Sequence, residues 1–455
     1  MADREFDAIV MGAGAPGEVC AGRLADGGLE VAIVEPHLVG GECSYYACMP
    51  SKALLRPGEA LAEVRRVPGA AEAATGELDS ASALRRRDEV IHDLDDSSQL
   101  PWLQERGIEL VRGSSALDGE HRVKVGDDTL VARRAVVVAT GSDAAIPPID
   151  GLADASPWSN RQATTSKRVP ASLAVLGGGP VGAELAQAWR TLGSEVTLIE
   201  AMDRLLSKEE PFASEQVADG LRKAGVDVRT GTKAGAVRAQ NGQVAVELED
   251  GETVEAEELL VAIGRRPRTE GVGLETVGVK PEGWLETDDR LRVGGSEWLY
   301  AIGDVTGRAL FTHMGKYQGR IAADNILGKD AVATADAHGS PRVTFTDPEV
   351  AAVGYTLDAA REAGIDARAV DVDTGATAGA SFHGRGAPGT TRIVVDEARR
   401  VIVGATFVGA ETADFLHGAT IAVAGAVTLE RLWHAVPAFP TRSEVWLKLM
   451  EAYGL

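Results

Sequence analysis

Residues Phe6 to Glu35 read "FDAIVMGAGAPGEVCAGRLADGGLEVAIVE". An apolar run of strand character leads into a glycine turn, a helix-forming stretch follows, and a second apolar run closes on an acid. Gly12, Gly14 and Gly17 have the spacing G-x-G-x-x-G. In a strand–turn–helix unit the three glycines act differently. The first permits the tight turn, the second lets the backbone approach a pyrophosphate, and the third lets the helix pack close to the strand. The helix N-terminus then offers unpaired N–H groups and a positive dipole end to the phosphates. Glu35 ends the second strand, at the distance where a carboxylate accepts hydrogen bonds from ribose hydroxyls.

The pattern returns in "SLAVLGGGPVGAELAQAWRTLGSEVTLIE", from Ser172 to Glu200. Gly177, Gly179 and Gly182 repeat the spacing, and Glu200 repeats the acid. A chain with both units is expected to bind two dinucleotides. Glu200 bonds a free 2′-hydroxyl and repels a 2′-phosphate, which favours NAD over NADP. Arg204 lies nearby, but "EAMDRLL" supplies no basic cluster for an extra phosphate.

Other stretches fit the same frame. "AVVVATGS", Ala135 to Ser142, is a buried strand running into Thr140 and Gly141, and "ELLVAIGRRP", Glu258 to Pro267, is a similar strand ending near Gly264. "WLYAIGDVTG" places Gly303 and Asp304 just past a strand, where the carboxylate can bond the ribityl hydroxyls of a flavin. After about residue 340 the character changes. "TRIVVDEARRVIVGATFVG" reads as paired strands and "DFLHGATIAVAGAV" as a buried helix, together a separate α+β domain.

Length and charge bound the rest. A chain of 455 residues is too long for one hydrophobic core. A net charge of −22 argues against nucleic acid or an anionic membrane as partner. The run "ATIAVAGAV" is far too short to cross a bilayer. "MADRE" passes straight into a strand with no basic n-region or cleavage site, so the expectation is a cytosolic protein. Three cysteines make no disulfide framework. Cys20, in the first helix, reads as a small buried hydrophobe. Cys43 and Cys48 stand close together in "GGECSYYACMPSK", behind Gly41. Without a second C-x-x-C or a histidine cluster, they make a poor metal half-site.

Taken in order, these features resemble the FAD-dependent pyridine nucleotide–disulfide oxidoreductases of the lipoamide dehydrogenase and glutathione reductase type. The resemblance rests on the first glycine motif, C-x4-C followed by "PSK", the second glycine motif with Glu184, "AIGD", and "PTRSE" near the C-terminus. It implies an α/β fold with two Rossmann-like domains and a C-terminal α+β dimerisation domain. The FAD domain would take 1–150 and 269–337, the NAD(P) domain 151–268, and the interface domain 338–455. It further implies a homodimer in which the "PTRSE" segment completes the partner's active site. Cys43 and Cys48 would form a redox disulfide, with Cys48 against the flavin and Cys43 open to exchange with a small-molecule acceptor. Lys52 would pair with Glu184 near flavin N5.

The sequence departs from that pattern in two places. The family's disulfide reductases read His-Pro-Thr-x-Ser-Glu, with the histidine as general acid–base oriented by the glutamate. Here Glu444 is present, but Phe439 occupies the histidine's position and cannot carry a proton. His434 either substitutes through a rearranged backbone or matches a non-catalytic upstream histidine that packs. Between the cysteines "SYYA" replaces the usual "LNVG", so Tyr45 or Tyr46 is a third candidate proton donor. No cysteine follows Cys48, which removes the C-terminal redox pair of large thioredoxin reductases and the metal-capturing pair of mercuric reductases. The expected function is passage of electrons from NADH through FAD to a disulfide, or from a dihydrolipoamide-like dithiol in reverse. The alternative is electron transfer to a quinone, a metal or another acceptor, or a carboxylase- or transhydrogenase-like reaction without the histidine.

Overall fold

The computed structural model describes residues 4–240, 242–384 and 387–455; of "MADRE", residues 1–3 lie outside the described residues. The chain gathers into two compact units. One comprises Met1–Pro50, Asp88–Ala145 and Arg265–Ala337, and the other Ser51–Arg87, Ile146–Gly264 and His338–Leu455.

In the first unit a parallel sheet forms around the strand Arg4–Met11, with Val31–Glu35 and then Glu109–Arg112 on one side and Asp128–Val138 on the other. The last half of Asp128–Val138 also pairs in parallel with Leu299–Ala301, and its first half carries the antiparallel strands Arg122–Val125 and Ser115–Leu117. Ala8 to Met11 and Val136 to Val138 are fully buried, as expected of strands covered on both faces. The helix Ala15–Asp26 packs on Thr312–Ile326. Glycine allows that approach: a Cβ at Gly319 would lie 2.7 Å from the Pro16 carbonyl oxygen. Cys20 is buried on this helix, and burial pushes its thiol up to about 12, so it is the inert apolar residue its context suggested.

The second unit holds a four-stranded parallel sheet in the order Asp227–Arg229, Glu195–Ile199, Ser172–Leu176, Glu258–Val261. It also holds an antiparallel meander, Ala234–Gln240, Gln243–Leu248 and Thr253–Ala256. Its C-terminal part is a five-stranded antiparallel sheet ordered 341–344, 349–354, 401–409, 390–396, 367–373. Leu54 and Leu84 share a core with Trp189, Leu260 and Val350, which ties Ser51–Arg87 into this unit. The expected strand pair is Thr390–Asp396 against Val401–Gly409. The stretch expected to be a buried helix differs from that expectation. It forms Leu416–Ala424 with Leu416, Ala419 and Ala422 inside and Ile421 56% exposed, because a helix on one side of a sheet buries only one stripe.

Candidate active site

The two glycine turns are built alike. At Gly12 φ is +113° and an added Cβ would sit 2.4 Å from the Ala139 carbonyl oxygen; at Gly17 it would sit 2.0 Å from the Gly12 oxygen. At Gly14 the nearest atom would be Pro16 Cδ at 3.9 Å. The outer glycines are thus demanded by the protein's own packing, whereas the middle one leaves open space at a helix N-terminus that has no side-chain cap. In the second unit a Cβ at Gly177 would lie 2.5 Å from the Ala262 oxygen and one at Gly182 would lie 1.8 Å from the Gly177 oxygen, while nothing lies within 4 Å of Gly179. Gly179 caps the helix Pro180–Leu192, again with no side-chain cap.

The acids repeat too. Glu35 accepts the N–H groups of Ala13 at 2.8 Å and His37 at 2.9 Å; Glu200 accepts those of Gly178 at 2.5 Å and Met202 at 2.7 Å. Each carboxylate therefore ties its strand end to its glycine turn. Both cradles fit a dinucleotide pyrophosphate. The middle and outer glycines should separate by experiment. Gly179→Ala should keep the wild-type melting temperature and raise KM for NADH about tenfold, about 1.4 kcal/mol. Gly182→Ala should lose about 1–3 kcal/mol of stability through overpacking. Calorimetry with NADH saturation kinetics checks this, and a destabilised Gly179→Ala would count against the assignment.

Around the first cradle, Gly41 has φ +60° and its Cβ would meet Gly14 Cα at 2.8 Å, so the segment leading to the cysteines lies tight on the turn. Cys43 is in the short helix Gly41–Tyr45, and Cys48 begins the helix Cys48–Arg66. A helix N-terminus favours negative charge on Cys48. A hydrogen bond to Cys48, burial and the neighbouring sulfur's charge together hold the Cys43 thiol well above the ordinary thiol range, against the opposing pull of Thr312 and Lys316. Cys48 Sγ lies 3.4 Å from Thr312 Oγ1.

Asp304 accepts from Ser142 Oγ at 2.6 Å and lies 3.4 Å from Arg265 Nε. Thr140 Oγ1 donates to the Arg268 carbonyl, and Gly303 N–H donates to Gln318 Oε1, each at 2.7 Å. Gly141 and Gly303 sit at positive φ, +78° and +74°. Arg268 also holds Glu42, the residue before Cys43, at 3.1 Å and Asp143 at 2.5 Å. Thr312, Lys316 and Arg268 are not marked by any motif in the sequence. The first two lie one turn apart in a helix without a signature, so only placement of that helix brings them to the sulfurs. Tyr45 is buried with no hydrogen-bond partner for its hydroxyl, and burial pushes the phenol up to about 12. A phenol held that high is a weaker acid than an ordinary tyrosine.

In the second unit Lys52 Nζ donates to Glu184 Oε2 at 2.6 Å, and Glu184 Oε1 accepts the Phe345 N–H at 3.0 Å. Glu184 is 5% exposed, and Lys52 lies 4.6 Å from the centre of the Phe345 ring. The pair expected from the sequence is therefore formed, with its carboxylate satisfied on both oxygens. Gly264, at φ +146°, ends this unit's parallel sheet region. Arg204 spends its guanidinium within its own loop, on the carbonyls of Ser207 at 2.8 Å and Glu209 at 3.0 Å.

At the C-terminus the Phe439–Pro440 bond is cis, Phe439 is 77% exposed, and Glu444 Oε2 accepts the Gly379 N–H at 3.2 Å. His434 is exposed in the single chain. His434, Phe439 and Glu444 line one cavity of about 380 Å³ together with Trp433, Val436 and Trp446.

The comparisons with known proteins agree with this architecture. Residues 6–323 match the family described as pyridine nucleotide-disulphide oxidoreductase, and residues 340–450 match its dimerisation domain. The chain is 35% identical to a dihydrolipoyl dehydrogenase of Thermus scotoductus over 458 residues, covering 99% of this chain and 97% of that one. It is 32% identical to a mercuric reductase of Staphylococcus aureus over 450 residues, covering 97% and 81%. Among solved structures it is similar to the Cu(II) complex of the HOCl-induced flavoprotein disulfide reductase RclA from Escherichia coli, with TM-score 0.85, 26% identity and 99% of each chain covered. The chain belongs to the pyridine nucleotide–disulphide oxidoreductase family. It is therefore an FAD- and NAD(P)-dependent disulfide oxidoreductase, and its dimerisation domain implies a homodimer. No described helix is long and apolar enough to cross a membrane.

Proposed function

We propose that the protein is a cytoplasmic NADH-dependent reductase of a small-molecule disulfide, with Cys43 and Cys48 as the redox pair and Cys43 as the sulfur that exchanges with the acceptor. The observation that carries this reading is the pair itself: two adjacent thiols of unequal surroundings, one held above the ordinary thiol range by its neighbour and by burial, the other at a helix N-terminus beside Thr312. FAD, when bound, supplies the two-electron step between the nicotinamide and the disulfide. The net reaction takes NADH, a proton and a disulfide to NAD and two thiols. Cys43 and Cys48 close to a disulfide as the acceptor's S–S bond opens. Gly12, Gly14, Gly17, Glu35 and Asp304 are assigned to FAD, and Gly177, Gly179, Gly182 and Glu200 to the nicotinamide dinucleotide. Lys52 and Glu184 are assigned the role of a fixed charge pair serving the flavin. Residues 434–444 are assigned to the partner subunit's exchange site. Anaerobic titration with NADH, followed by an acceptor screen, tests the whole reading. Flavin that NADH cannot reduce would overturn it.

Two observations support NAD. Glu200 ends the strand beside the second glycine turn, where a carboxylate suits a free 2′-hydroxyl, and the nearby cation Arg204 is held by loop carbonyls. NADH should exceed NADPH by at least about tenfold in kcat/KM, about 1.4 kcal/mol. Equal use of the two by the wild type would refute the assignment.

A second reading makes the acceptor a soft metal ion. It is favoured by Phe439, since reduction of a metal ion needs no proton at that position, and by likeness to proteins named as a mercuric reductase and a Cu(II) complex. Turnover with cupric or mercuric salts exceeding that with every disulfide in the screen would establish it.

A further inference from the structure

Outside the residues of the sequence motifs, three side chains of the second unit converge: Glu63, His383 and Glu411, each offering one donor atom, all within 4.8 Å of one another. They come from distant parts of the chain. Glu63 is on the helix Cys48–Arg66, His383 ends the short turn Gly379–His383, and Glu411 follows the strand Val401–Gly409. His383 Nδ1 lies 3.2 Å from Glu411 Oε2. Two ligands held by one tetrahedral ion at ordinary N and O bond lengths are about 3.4 Å apart. That edge already has the length a metal would give it.

From these distances we infer that Glu63, His383 and Glu411 form a binding site for a divalent cation of borderline character. One imidazole and two carboxylates suit zinc, nickel or copper better than magnesium or calcium, whose preferred shells are all oxygen. Three protein ligands leave coordination positions for water. The three donor atoms lie within 4.8 Å of one another, near enough for rotamer adjustment of the exposed carboxylates to bring them onto one ion. Glu63 and Glu411 are each 41% exposed at the side chain and His383 is 35% exposed, so an ion can enter from solvent.

The neighbours set the strength. Arg442, only 10% exposed at its side chain, reaches the same Glu411 Oε2 at 3.5 Å and also bonds the Ala410 carbonyl. It orients the carboxylate as outer-shell groups do, and its charge makes the site weaker than an all-acidic one. Arg56 Nη2 touches Glu63 at 4.0 Å, a contact an incoming ion displaces at small cost. The bland alternative is a plain ion-pair network of His383, Glu411 and Arg442.

The test uses the full-length FAD-loaded protein with its cysteine pair closed as the disulfide, and a Cys43→Ser/Cys48→Ser background as a second arm. Both keep thiols from taking the metal. Zinc chloride is the probe, followed by isothermal titration. We expect one equivalent of zinc per chain in both arms. His383→Ala should weaken binding by more than the ~10- to 100-fold that loss of an outer-shell partner costs, and Glu63→Gln and Glu411→Gln should act in the same direction. Unchanged circular dichroism and melting temperature show that the variants fold. If neither arm binds zinc, or if all three variants bind as the parent does, the cluster is an ion-pair network and the inference fails.

Discussion

Cys48→Ser and Cys43→Ser are each expected to lower disulfide turnover by at least about 10³-fold, about 4 kcal/mol in transition-state terms, while NADH still reduces the flavin. The reason lies in what exchange requires. Cys43 must give up its proton to attack, and Cys48 must be close enough to close the disulfide behind it. Cys43 and Cys48 share a hydrogen bond, and that bond and burial hold the Cys43 thiol above its ordinary range. Serine at either position leaves a hydroxyl that neither attacks nor forms S–S. The two variants should differ in spectrum. Cys43→Ser should show long-wavelength thiolate-to-flavin absorbance in the oxidised-flavin enzyme, and Cys48→Ser should show none. Turnover persisting in both variants would disprove the relay; interchanged spectra would reverse the assignment of the two sulfurs.

Phe439→His is expected to raise turnover with dihydrolipoamide and small linear disulfides by about 10- to 100-fold. A positioned acid–base contributes on the order of 10² to 10⁴ in rate, and a ring placed by substitution recovers part of that. Glu444 remains in place, held at 3.2 Å by the Gly379 N–H, and lines the same cavity as Phe439. Phe439 is 77% exposed in the single chain, so exchanging its ring costs little packing. The wild type should be weak with these substrates and normal in flavin reduction, because hydride transfer does not use that position. His434→Ala is the control, since His434 lines the cavity too. If it eliminates wild-type turnover and Phe439→His adds little, His434 is the base. Full wild-type lipoamide activity, untouched by His434→Ala, would mean that the C-terminal motif has been misread.

Both experiments bear on the same question, which is how a member of this family manages proton transfer at the exchange site without the usual histidine. The surroundings of Tyr45 bear on one answer. Tyr45, attractive in the sequence for standing between the cysteines, is buried with its hydroxyl unpartnered and pushed up to about 12. Lys316 enters from the opposite direction. Nothing in "FTHMGKYQGR" marks it, yet its charge acts on Cys43.

What the sequence determined by itself is local and periodic. Glycine spacing, strand runs and terminal acids define the two dinucleotide units, and the third glycine of each answers to an atom a few positions away: the Cβ absent from Gly17 would strike Gly12, and that absent from Gly182 would strike Gly177. The Cys43–Cys48 spacing was legible for the same reason. What only the tertiary structure decided depends on contacts between segments far apart in the chain. Thr312 reaches Cys48, Arg268 holds Glu42, Phe345 donates to Glu184, and Glu63 meets His383 and Glu411 across more than three hundred residues of sequence. The burial of Tyr45 and the exposure of Ile421, Phe439 and His434 belong to the same class. A side chain's surroundings are set by which elements pack over it, and no local pattern of residues encodes that.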